Sequence, residues 1–541
     1  MDAEEFAALG LIAPAQRVDP PLGPRDIASM LGPRVAEQPD AEAIVDPGRR
    51  LTYAALDRAI AAAAHLFERL GVEPGDRVAA SLPNACDIVV AFMAVQRLGA
   101  IWVGINTILS PNEKRHILGH SETKLLLTDS RFAAPFDALR ADLPKLDHLL
   151  VIDDAARDLG WATVFAATDA PAIAAREIDP FAPAAIMYTS GTTGVPKGVV
   201  HSQHNMITVC AAGSSFGMMH PEMKRGVVLP LTITNLMILG PLVAFWNGTS
   251  CACGQSVKID PLVDWIAQEK VGTCATVPTI VHDLLQSGRD LPQGFIMGAG
   301  GAPLPMPIRN AFKARYGYPL GGSYGLTEAP TVVTETRGIE PPSGSSGLPL
   351  PHLVVTIRAE DGTVLPTGEV GEVCVSGVTE GPWAGVYTPA LGYWKDGDKS
   401  TVLLRGGILH TSDMGRLDEN GWIYLADRSS ELILRGGSNV YPAEVERVLH
   451  EHAGVAACAL VGKPDERLGM RTVAFIQPVR TGEEDQIRAD LIVLCQESLA
   501  RYKQPDEWIF VEQFPRNAMG KIVKPALRAQ LAEQQAERQE A

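Results

Sequence analysis

The sequence predicts an α/β fold: a large N-terminal domain of doubly wound sheets with a small β-barrel-like subdomain, then a small α+β C-terminal domain. From about residue 50, short apolar strands alternate with helices of ten or more residues, which is typical of doubly wound parallel sheet. After about residue 340, short strands separated by glycine and proline turns indicate antiparallel sheet. The last stretch, roughly 110 residues, mixes strands and helices and is long enough for a separate domain.

The individual elements follow from their hydrophobic patterns. "LTYAALDRAIAAAAHLFERLG" predicts an amphipathic helix that ends at Gly71, and "ACDIVVAFMAVQRLGA" predicts a helix between the strands "DRVAASLP" and "IWVGIN". Pro442 marks the start of the helix "YPAEVERVLHEH". We predict an N-terminal domain over residues 1–428, with the antiparallel subdomain at about 340–428, a hinge at 429–433 and a C-terminal domain over 434–541.

The composition argues against several classes of protein. The chain has 541 residues, 46% hydrophobic and 20% charged, which is typical of a globular protein of several domains. Its 47 basic and 63 acidic residues give a net charge of −16, which disfavours nucleic acid as a partner. The acidic N-terminus lacks the basic start of a signal peptide, so we expect a cytoplasmic protein. Eight cysteines without a CxxC pair favour buried free thiols over a metal site.

One segment without any charged residue extends from Gly226 to Val257. A membrane span is one interpretation. However, Pro230, Pro241 and Gly248 are among the residues that interrupt the segment, so we predict a buried strand, helix and strand instead.

The stretch "YTSGTTGVPKGVVHS", Tyr188 to Ser202, has the composition of a phosphate-binding segment. Its glycines allow backbone N–H groups to face an anion, its hydroxyl groups add donors, and Lys197 adds a positive charge. The spacing differs from the GxxxxGK[ST] loop of nucleotide phosphotransferases, because Gly198 stands where Ser or Thr is required. Taken alone, the stretch is equally well explained as a flexible loop.

Four further stretches suggest the same kind of site. "GGSYGLTEA" offers Tyr324 to stack on a base and Glu328 to hold a magnesium ion, and "HTSDMG" offers Asp413 to bind the two ribose hydroxyls. "DRSSELILRGGSNVYPAEVE" carries Arg428, and "FPRNAMGKIVK" carries Lys521 in a glycine turn. Each has a structural alternative: a tight turn, a capping aspartate or a solvated lysine.

These five stretches, in this order, resemble the motifs of the adenylate-forming (ANL) superfamily. That superfamily includes acyl-CoA synthetases, peptide-synthetase adenylation domains and beetle luciferases, and the resemblance covers about residues 50 to 528. Two departures stand out: Ser412 replaces the usual glycine before the aspartate, and Asp427 precedes Arg428 where glycine is usual. Because Asp413, Arg428 and Lys521 are kept, we expect an active enzyme.

The resemblance implies ATP, Mg²⁺ and coenzyme A as cofactors and assigns the following roles. The catalytic residues would be Lys521, Thr189 and Glu328, and Glu328 would hold the metal. The ATP-binding residues would be Thr189, Ser190, Gly191, Thr192, Thr193, Gly194, Lys197, Gly322, Ser323, Tyr324, Gly325, Thr327, Asp413, Arg428 and Lys521. A carboxylate would attack the α-phosphate of ATP to give an acyl-adenylate, and a thiol would then displace AMP.

The resemblance also implies that the C-terminal domain rotates about Glu431 between the two half-reactions. The rotation would withdraw Lys521 and bring in a segment whose glycines line a tunnel for the pantetheine arm. The CoA-binding residues would be Arg435, Gly436, Gly437 and Ser438. About twenty residues follow Lys521, fewer than a carrier domain needs, so we expect free coenzyme A as acceptor. The alternative is a separate carrier protein.

The acyl pocket is predicted from the same resemblance. Its wall would contain Thr234, Asn235, Met237, Gly300, Gly301 and Ala302, together with Gly322. The uncharged segment from Gly226 to Val257 has no acid to pair with an α-ammonium group, which disfavours an amino-acid substrate. The small residues at 300–302 leave room for a medium-chain, long-chain or ring-bearing apolar acid. Thr234 and Asn235 could equally be core groups already satisfied by the backbone.

Two other classes of protein compete with this interpretation. A membrane-associated transporter or lipid-binding protein would use the uncharged segment and would not turn over ATP. A degenerate relative that only binds acyl-adenylates would have lost Lys521 or Asp413, and both are present. We expect neither nucleic acid nor an integral membrane as partner, and a homodimer is left open.

Overall fold

The computed structural model describes residues 1–167, 176–189, 196–217, 220, 222–300, 306–336, 339–342, 344–425, 433–440, 442–515, 522 and 524–540. In chain order the strands are β1 (Glu42–Val45), β2 (Arg50–Thr52), β3 (Arg77–Ser81), β4 (Ile101–Gly104), β5 (Leu125–Thr128), β6 (His148–Val151), β7 (Pro183–Thr189), β8 (Lys197–Ser202), β9 (Arg225–Val227), β10 (Cys251–Cys253), β11 (Thr273–Thr276), β12 (Ile296–Ala299), β13 (Gly321–Leu326), β14 (Thr331–Glu335), β15 (Leu348–Pro349), β16 (Leu353–Arg358), β17 (Gly371–Gly377), β18 (Gly392–Tyr393), β19 (Leu409–Leu417), β20 (Ile423–Leu425), β21 (Ile433–Arg435), β22 (Ser438–Val440), β23 (Val455–Asp465), β24 (Gly469–Pro478) and β25 (Glu507–Phe510). The α-helices are α1 (Ala3–Ala8), α2 (Gly32–Glu37), α3 (Tyr53–Arg69), α4 (Cys86–Leu98), α5 (Pro111–Ser121), α6 (Ser130–Leu139), α7 (Gln203–Ser215), α8 (Thr234–Met237), α9 (Val243–Asn247), α10 (Ile259–Gln268), α11 (Pro278–Ser287), α12 (Met306–Tyr316), α13 (Gly397–Leu403), α14 (Pro442–His450), α15 (Glu484–Ser498) and α16 (Lys524–Glu540).

Two large sheets form the N-terminal domain, and both are parallel at their centre. The first has the order β18-β8-β7-β4-β3-β5-β6, with β7 to β6 parallel and β8 and β18 antiparallel at one edge. The second has the order β15-β14-β13-β12-β11-β9-β10-β1-β2, parallel from β13 to β1. Helices α3, α4 and α7 pack between the sheets in the largest core cluster. The predicted doubly wound architecture is confirmed.

Helix α4 shows why these helices are central. Nearly every side chain from Cys86 to Leu98 is buried, and Arg97 is the half-exposed exception. A helix that is apolar on all sides must be covered on all sides, here by strands of both sheets. Gly99 ends the helix in the left-handed conformation that glycine adopts without strain.

The uncharged segment at 226–257 folds as predicted, as strand, helix and strand. Strand β9 leads into α8, a π-helical turn at Ile238–Leu242 and α9, and β10 then pairs in parallel with β9. In the part of the chain that the structure describes, no helix has the length and hydropathy to cross a membrane. All eight cysteines are unpaired and buried.

The antiparallel sheet and the C-terminal domain also follow the prediction. Strands β16-β17-β19-β20 form a four-stranded antiparallel sheet. The C-terminal sheet has the order β22-β21-β24-β23, with β25 parallel to β24 and α14, α15 and α16 packed around it. Residues 429–432 lie outside the described part of the chain, so the hinge position and the domain boundaries stay predictions.

Candidate active site

The predicted phosphate segment joins two antiparallel strands. Strand β7 ends at Thr189, strand β8 begins at Lys197, and these two residues are cross-strand partners. Strands β7 and β8 therefore form a hairpin, and β18 alone lies outside it on that side of the seven-stranded sheet. Ser190, Gly191, Thr192, Thr193 and Gly194 lie outside the described residues.

Lys197 and Glu328 meet at the side chain of Tyr393. The Lys197 Nζ lies 5.2 Å from the centre of the Tyr393 ring, and the Tyr393 hydroxyl donates to Glu328 Oε1 at 2.9 Å. Strand β18 positions Tyr393 by pairing with β8. Burial, together with the nearby Lys399, lowers the pKa of Lys197, and Glu328 and Asp396 oppose that shift. An anion bound here would relieve the desolvation of the ammonium group.

Tyr324 and Asp413, two of the predicted ATP-binding residues, are in contact in the fold. The Tyr324 hydroxyl donates to Asp413 Oδ2 at 2.7 Å, although β13 and β19 belong to different sheets. The Asp413 side chain is buried, and its backbone N–H donates to Thr411 Oγ1. A buried carboxylate with a fixed orientation is suited to bind a vicinal diol, as predicted for the ribose.

The backbone at Ser412 shows why glycine is usual at this position and how serine is accommodated there. Its φ of 58° lies in the left-handed region that glycine adopts most easily. The Ser412 N–H donates to Glu372 Oε1 at 3.0 Å, and Glu372 Oε2 contacts His410 Nδ1 at 2.8 Å. This hydrogen bond offsets part of the backbone strain, so the turn before Asp413 keeps its shape without glycine.

Two of the glycines within β13 and the glycine directly after β12 are closely packed. A Cβ at Gly325 would lie 1.8 Å from the Thr331 carbonyl oxygen, so no larger residue fits there. A Cβ at Gly322 would lie 2.7 Å from an Arg309 guanidinium nitrogen, and one at Gly300 would lie 3.2 Å from Ser323 Oγ. Gly300 of the predicted acyl pocket thus adjoins Ser323 of the predicted nucleotide site.

The start of the predicted acyl pocket contains buried polar atoms that have no hydrogen-bond partner among the described residues. They are Thr232 Oγ1, Thr234 Oγ1 and Asn235 Oδ1. The described part of the chain thus shows no backbone partner for Thr234 Oγ1 or Asn235 Oδ1, which argues against the alternative that both side chains are satisfied core groups. Met237 is fully buried beside them in the chain. Buried unpaired polar atoms are rare in native proteins and often mark a ligand or water site.

Helix α5 contacts strand β7 and Pro196, the residue directly before strand β8. His120 Nδ1 lies 2.8 Å from the Tyr188 hydroxyl, and His116 Nε2 lies 3.1 Å from the Pro196 carbonyl oxygen. The two histidine rings are stacked, with centroids 5.4 Å apart. Burial, with a smaller effect of His116, lowers the pKa of His120 to about 4. The neutral imidazole of His120 therefore helps to fix the strand that ends at Thr189.

The predicted CoA segment lies against the N-terminal domain. A Cβ at Gly437 would lie 2.7 Å from Val277 Cγ1, so glycine permits this close approach, and its φ is 79°. Arg435 forms a two-pronged ion pair with Asp506 and donates to the Tyr502 carbonyl oxygen at 3.0 Å. These bonds attach the start of the predicted CoA segment to residues 502–506 of the C-terminal domain. Gly436 and Ser438 are half-buried in the same turn.

Several predicted residues lie outside the described part of the chain. They are Arg428, Glu431, Lys521, Gly301 and Ala302. Thr327 is described and half-buried directly after β13.

Sequence reasoning missed Tyr393, Arg309 and the two α5 histidines. A signal for Tyr393 existed in "LGYWKDGD", where two aromatic residues interrupt a loop-like stretch. His116 and His120 have helical i, i+4 spacing, which places them on one face. Arg309 has no local signal, because its approach to Gly322 depends on tertiary packing.

The fold brings together the predicted phosphate segment, the predicted metal ligand Glu328 and the predicted ribose ligand Asp413, as expected of a nucleotide-binding enzyme. The AMP-binding enzyme family matches residues 33–386, and the AMP-binding enzyme C-terminal domain matches residues 444–521. The chain belongs to the AMP-binding enzyme family. It is an AMP-forming acid–thiol ligase, which activates a carboxylic acid with ATP and passes the acyl group to a thiol.

Relatives cover almost the whole chain. The long-chain-fatty-acid–CoA ligase FadD13 of Mycobacterium tuberculosis is 31% identical over 94% of this chain and 98% of its own length. The fatty acid–[acyl-carrier-protein] ligase ScoC of Streptomyces coeruleorubidus is 32% identical over 91% of this chain and 93% of its own.

Two structures of one enzyme, the o-succinylbenzoate CoA synthetase of Bacillus subtilis, differ in their similarity to this chain. A double mutant bound to the product analogue OSB-NCoA superimposes with a TM-score of 0.79, covering 93% of this chain and 98% of that one. The complex with the acyl-adenylate intermediate OSB-AMP superimposes with a TM-score of 0.65, covering 92% of this chain and 98% of that one. Both are 28% identical to this chain. This chain therefore superimposes better on the product-analogue complex than on the acyl-adenylate complex.

Proposed function

We propose that this enzyme activates a medium-chain, long-chain or ring-bearing apolar carboxylic acid and transfers the acyl group to coenzyme A. The observation that carries the proposal is the convergence of Lys197, Tyr393 and Glu328 beside the phosphate hairpin. This arrangement supplies a cation for phosphate oxygens and an oxygen ligand for a divalent metal.

In the first half-reaction, an oxygen of the substrate carboxylate attacks the α-phosphorus of ATP. The bond from the α-phosphorus to its bridging oxygen breaks, and pyrophosphate leaves with the electron pair. Two anions must meet, so positive charge is the main requirement. Lys197 and the hairpin donors would hold the β- and γ-phosphates, Lys521 would bridge the carboxylate and α-phosphate, and Asp413 would fix the ribose.

The residues present fit a magnesium ion. Glu328 offers a half-buried carboxylate, and Tyr393 orients it by a hydrogen bond to one of its two oxygens. Mg²⁺ favours hard oxygen ligands of this kind, shared with phosphate oxygens. When bound, the ion would supply charge neutralisation on the phosphates.

In the second half-reaction, the sulfur of the thiol attacks the acyl carbonyl carbon. The bond from that carbon to the phosphate oxygen breaks, AMP leaves, and the thiol proton passes to solvent or to a base. Support comes from the contact of Gly437 with Val277 and from the better superposition on the product-analogue complex. Both indicate the arrangement in which the glycine segment lies at the N-terminal domain.

Coenzyme A is favoured over a carrier protein as acceptor. FadD13 and the Bacillus enzyme are both described as CoA enzymes, and both match nearly the full chain. ScoC, described as acting on an acyl carrier protein, is an equally similar relative and keeps the carrier as the second candidate. Pyrophosphate-linked turnover with free CoA against a purified carrier protein distinguishes the two.

The unpaired atoms of Thr232, Thr234 and Asn235 refine the substrate class. A purely hydrocarbon acid would leave them unsatisfied, whereas an acid with a hydroxyl or amide substituent could pair with them. We therefore expect the preferred acid to be apolar overall with one hydrogen-bonding group. Acids that differ only by one hydroxyl, compared by kcat/KM, test this expectation.

The central experiment measures pyrophosphate release over a panel of carboxylic acids, with and without CoA. The decisive variant is Lys521→Ala, which should strongly slow acyl-adenylate formation and leave CoA attack on supplied acyl-adenylate nearly intact. The loss should be about 10²- to 10³-fold, as for other fixed charges that stabilise a transition state. An equal loss in both half-reactions would refute the separate role of Lys521.

A further inference from the structure

A buried ion-pair cluster joins the N-terminal and C-terminal domains. Lys503 Nζ lies 2.5 Å from Glu113 Oε1 and 2.7 Å from Glu444 Oε1. The side chains of Lys503, Glu113 and Glu444 are only 3%, 6% and 2% exposed. Glu113 belongs to α5 of the N-terminal domain, whereas Glu444 and Lys503 belong to the C-terminal domain. One ammonium group is therefore shared by carboxylates of both domains.

Glu113 is held in place by its own helix. Its backbone N–H donates to Ser110 Oγ, and the Ser110 N–H donates to Glu113 Oε2 at 2.9 Å. This reciprocal capping box uses one carboxylate oxygen for the helix and leaves the other for Lys503. The carboxylate is thus oriented toward the C-terminal domain before that domain arrives.

The charges make this contact sensitive to domain position. Burial alone would lower the pKa of Lys503, but Tyr502 and the carboxylates of Glu444 and Glu113 outweigh burial and raise it. Lys503 is therefore a cation in this arrangement. Removing one member of a buried charge cluster is strongly unfavourable, because it leaves uncompensated charge in a medium of low polarity. If the C-terminal domain turned away, Lys503 would keep Glu444 and lose Glu113.

The residues on either side of Lys503 also hold the predicted CoA segment, residues 435–438. Arg435 binds the carbonyl of Tyr502, the residue before Lys503, and pairs with Asp506 three residues after it. The position of Lys503 and that of the glycine segment are consequently linked through Arg435. A second interdomain ion pair, Arg467 with Asp283 at 3.6 Å, lies near the contact of Gly437 with Val277.

Helix α5 connects the cluster to the phosphate hairpin. The helix that carries Glu113 also carries His116 and His120, which contact Pro196 and Tyr188 on the two sides of the hairpin. Docking at Glu113 therefore places the C-terminal domain relative to a helix that is itself fixed to the phosphate site.

We propose that Glu113 is a positioning residue of the thioester-forming half-reaction: its ion pair with Lys503 latches the C-terminal domain where residues 435–438 meet the N-terminal domain. The proposal rests on the proposed function. Adenylation uses the other arrangement, in which Lys521 is at the site, and does not need the latch.

The test compares the two half-reactions separately in the full-length Glu113→Ala enzyme. Pyrophosphate release with ATP and the acid should match that of the wild type. Thioester formation from supplied acyl-adenylate and CoA should slow by about 5- to 150-fold, the range of typical coupling between sites. Glu113→Gln keeps the capping box and loses the charge, so its defect should be smaller. Lys503→Met removes the partner of Glu113 in the C-terminal domain, so it should also slow thioester formation and leave pyrophosphate release unchanged.

Ser110→Ala is the matched control, because it weakens the same helix terminus and leaves the Glu113 carboxylate in place. It should run both half-reactions like the wild type. The latch is overturned if Glu113→Ala slows both half-reactions equally or slows neither of them. It is also overturned if Ser110→Ala, like Glu113→Ala, slows thioester formation and leaves pyrophosphate release unchanged. Absence of pyrophosphate release by the wild type with every acid would instead overturn the proposed function, and the latch with it.

Discussion

The hydroxyl of Tyr393 should determine how well the enzyme uses ATP. Its hydrogen bond to Glu328 Oε1 is 2.9 Å long, and its ring lies 5.2 Å from Lys197 Nζ. The Tyr393→Phe variant keeps the ring, and with it the contact to Lys197, and removes the hydroxyl that donates to Glu328. The predicted metal ligand Glu328 then loses its orientation.

The size of the effect follows from the chemistry of this bond. A hydrogen bond to a charged group contributes about 1.5–3 kcal/mol. Because Tyr393 is half-buried, we take about 2 kcal/mol, which corresponds to about a 30-fold lower kcat/KM for ATP. Pyrophosphate release without CoA measures this loss. Thioester formation from supplied acyl-adenylate should be unchanged.

Tyr387 provides the matched control for this substitution. Its hydroxyl is buried and has no hydrogen-bond partner in the described part of the chain, so Tyr387→Phe removes the same atom without removing a hydrogen bond seen there. That variant should retain wild-type pyrophosphate release and equal or higher thermal stability. The reasoning is refuted if Tyr393→Phe behaves like the wild type, or if Tyr387→Phe shows the same loss.

Two further predictions concern stability. Gly325→Ala should destabilise the fold by about 1–3 kcal/mol, seen as a lower thermal midpoint, since its Cβ would overlap the Thr331 carbonyl oxygen. A Cβ at Gly321 in the same strand would meet no atom of the described residues within 4 Å, so Gly321→Ala should be tolerated; equal losses would contradict this account. Burial lowers the pKa of His201, His204 and His352 to about 4, below the unfolded value of about 6.5. The unfolded chain therefore binds more protons, and stability should be complete above pH 6.5 and fall toward pH 4, by about 3 kcal/mol per histidine. Thermal midpoints measured across this range give the dependence of stability on pH. His352→Phe should weaken this dependence because it removes one titrating imidazole, while the phenyl ring can keep the stacking on Phe216. A flat profile would exclude these histidines as the cause.

Local sequence was sufficient for the fold and for part of the site. The alternation of strands and helices, the capping glycine at Gly99 and the buried segment at 226–257 are properties of neighbouring residues, so their patterns could be recognised directly. The phosphate segment and the turn at Tyr324 were recognisable for the same reason. The pairing of Tyr324 with Asp413 was not, because 89 residues separate them and only the packing of two sheets brings them together.

The sequence by itself determined that this chain is a two-domain α/β protein with the residues needed to handle a nucleotide. Only the tertiary structure decided which partners those residues have: Tyr393 beside Glu328, and Glu113 beside Lys503, 390 positions along the chain. The physical reason is that hydrophobic periodicity is a local property, whereas a buried hydrogen bond or ion pair is fixed by packing between distant segments.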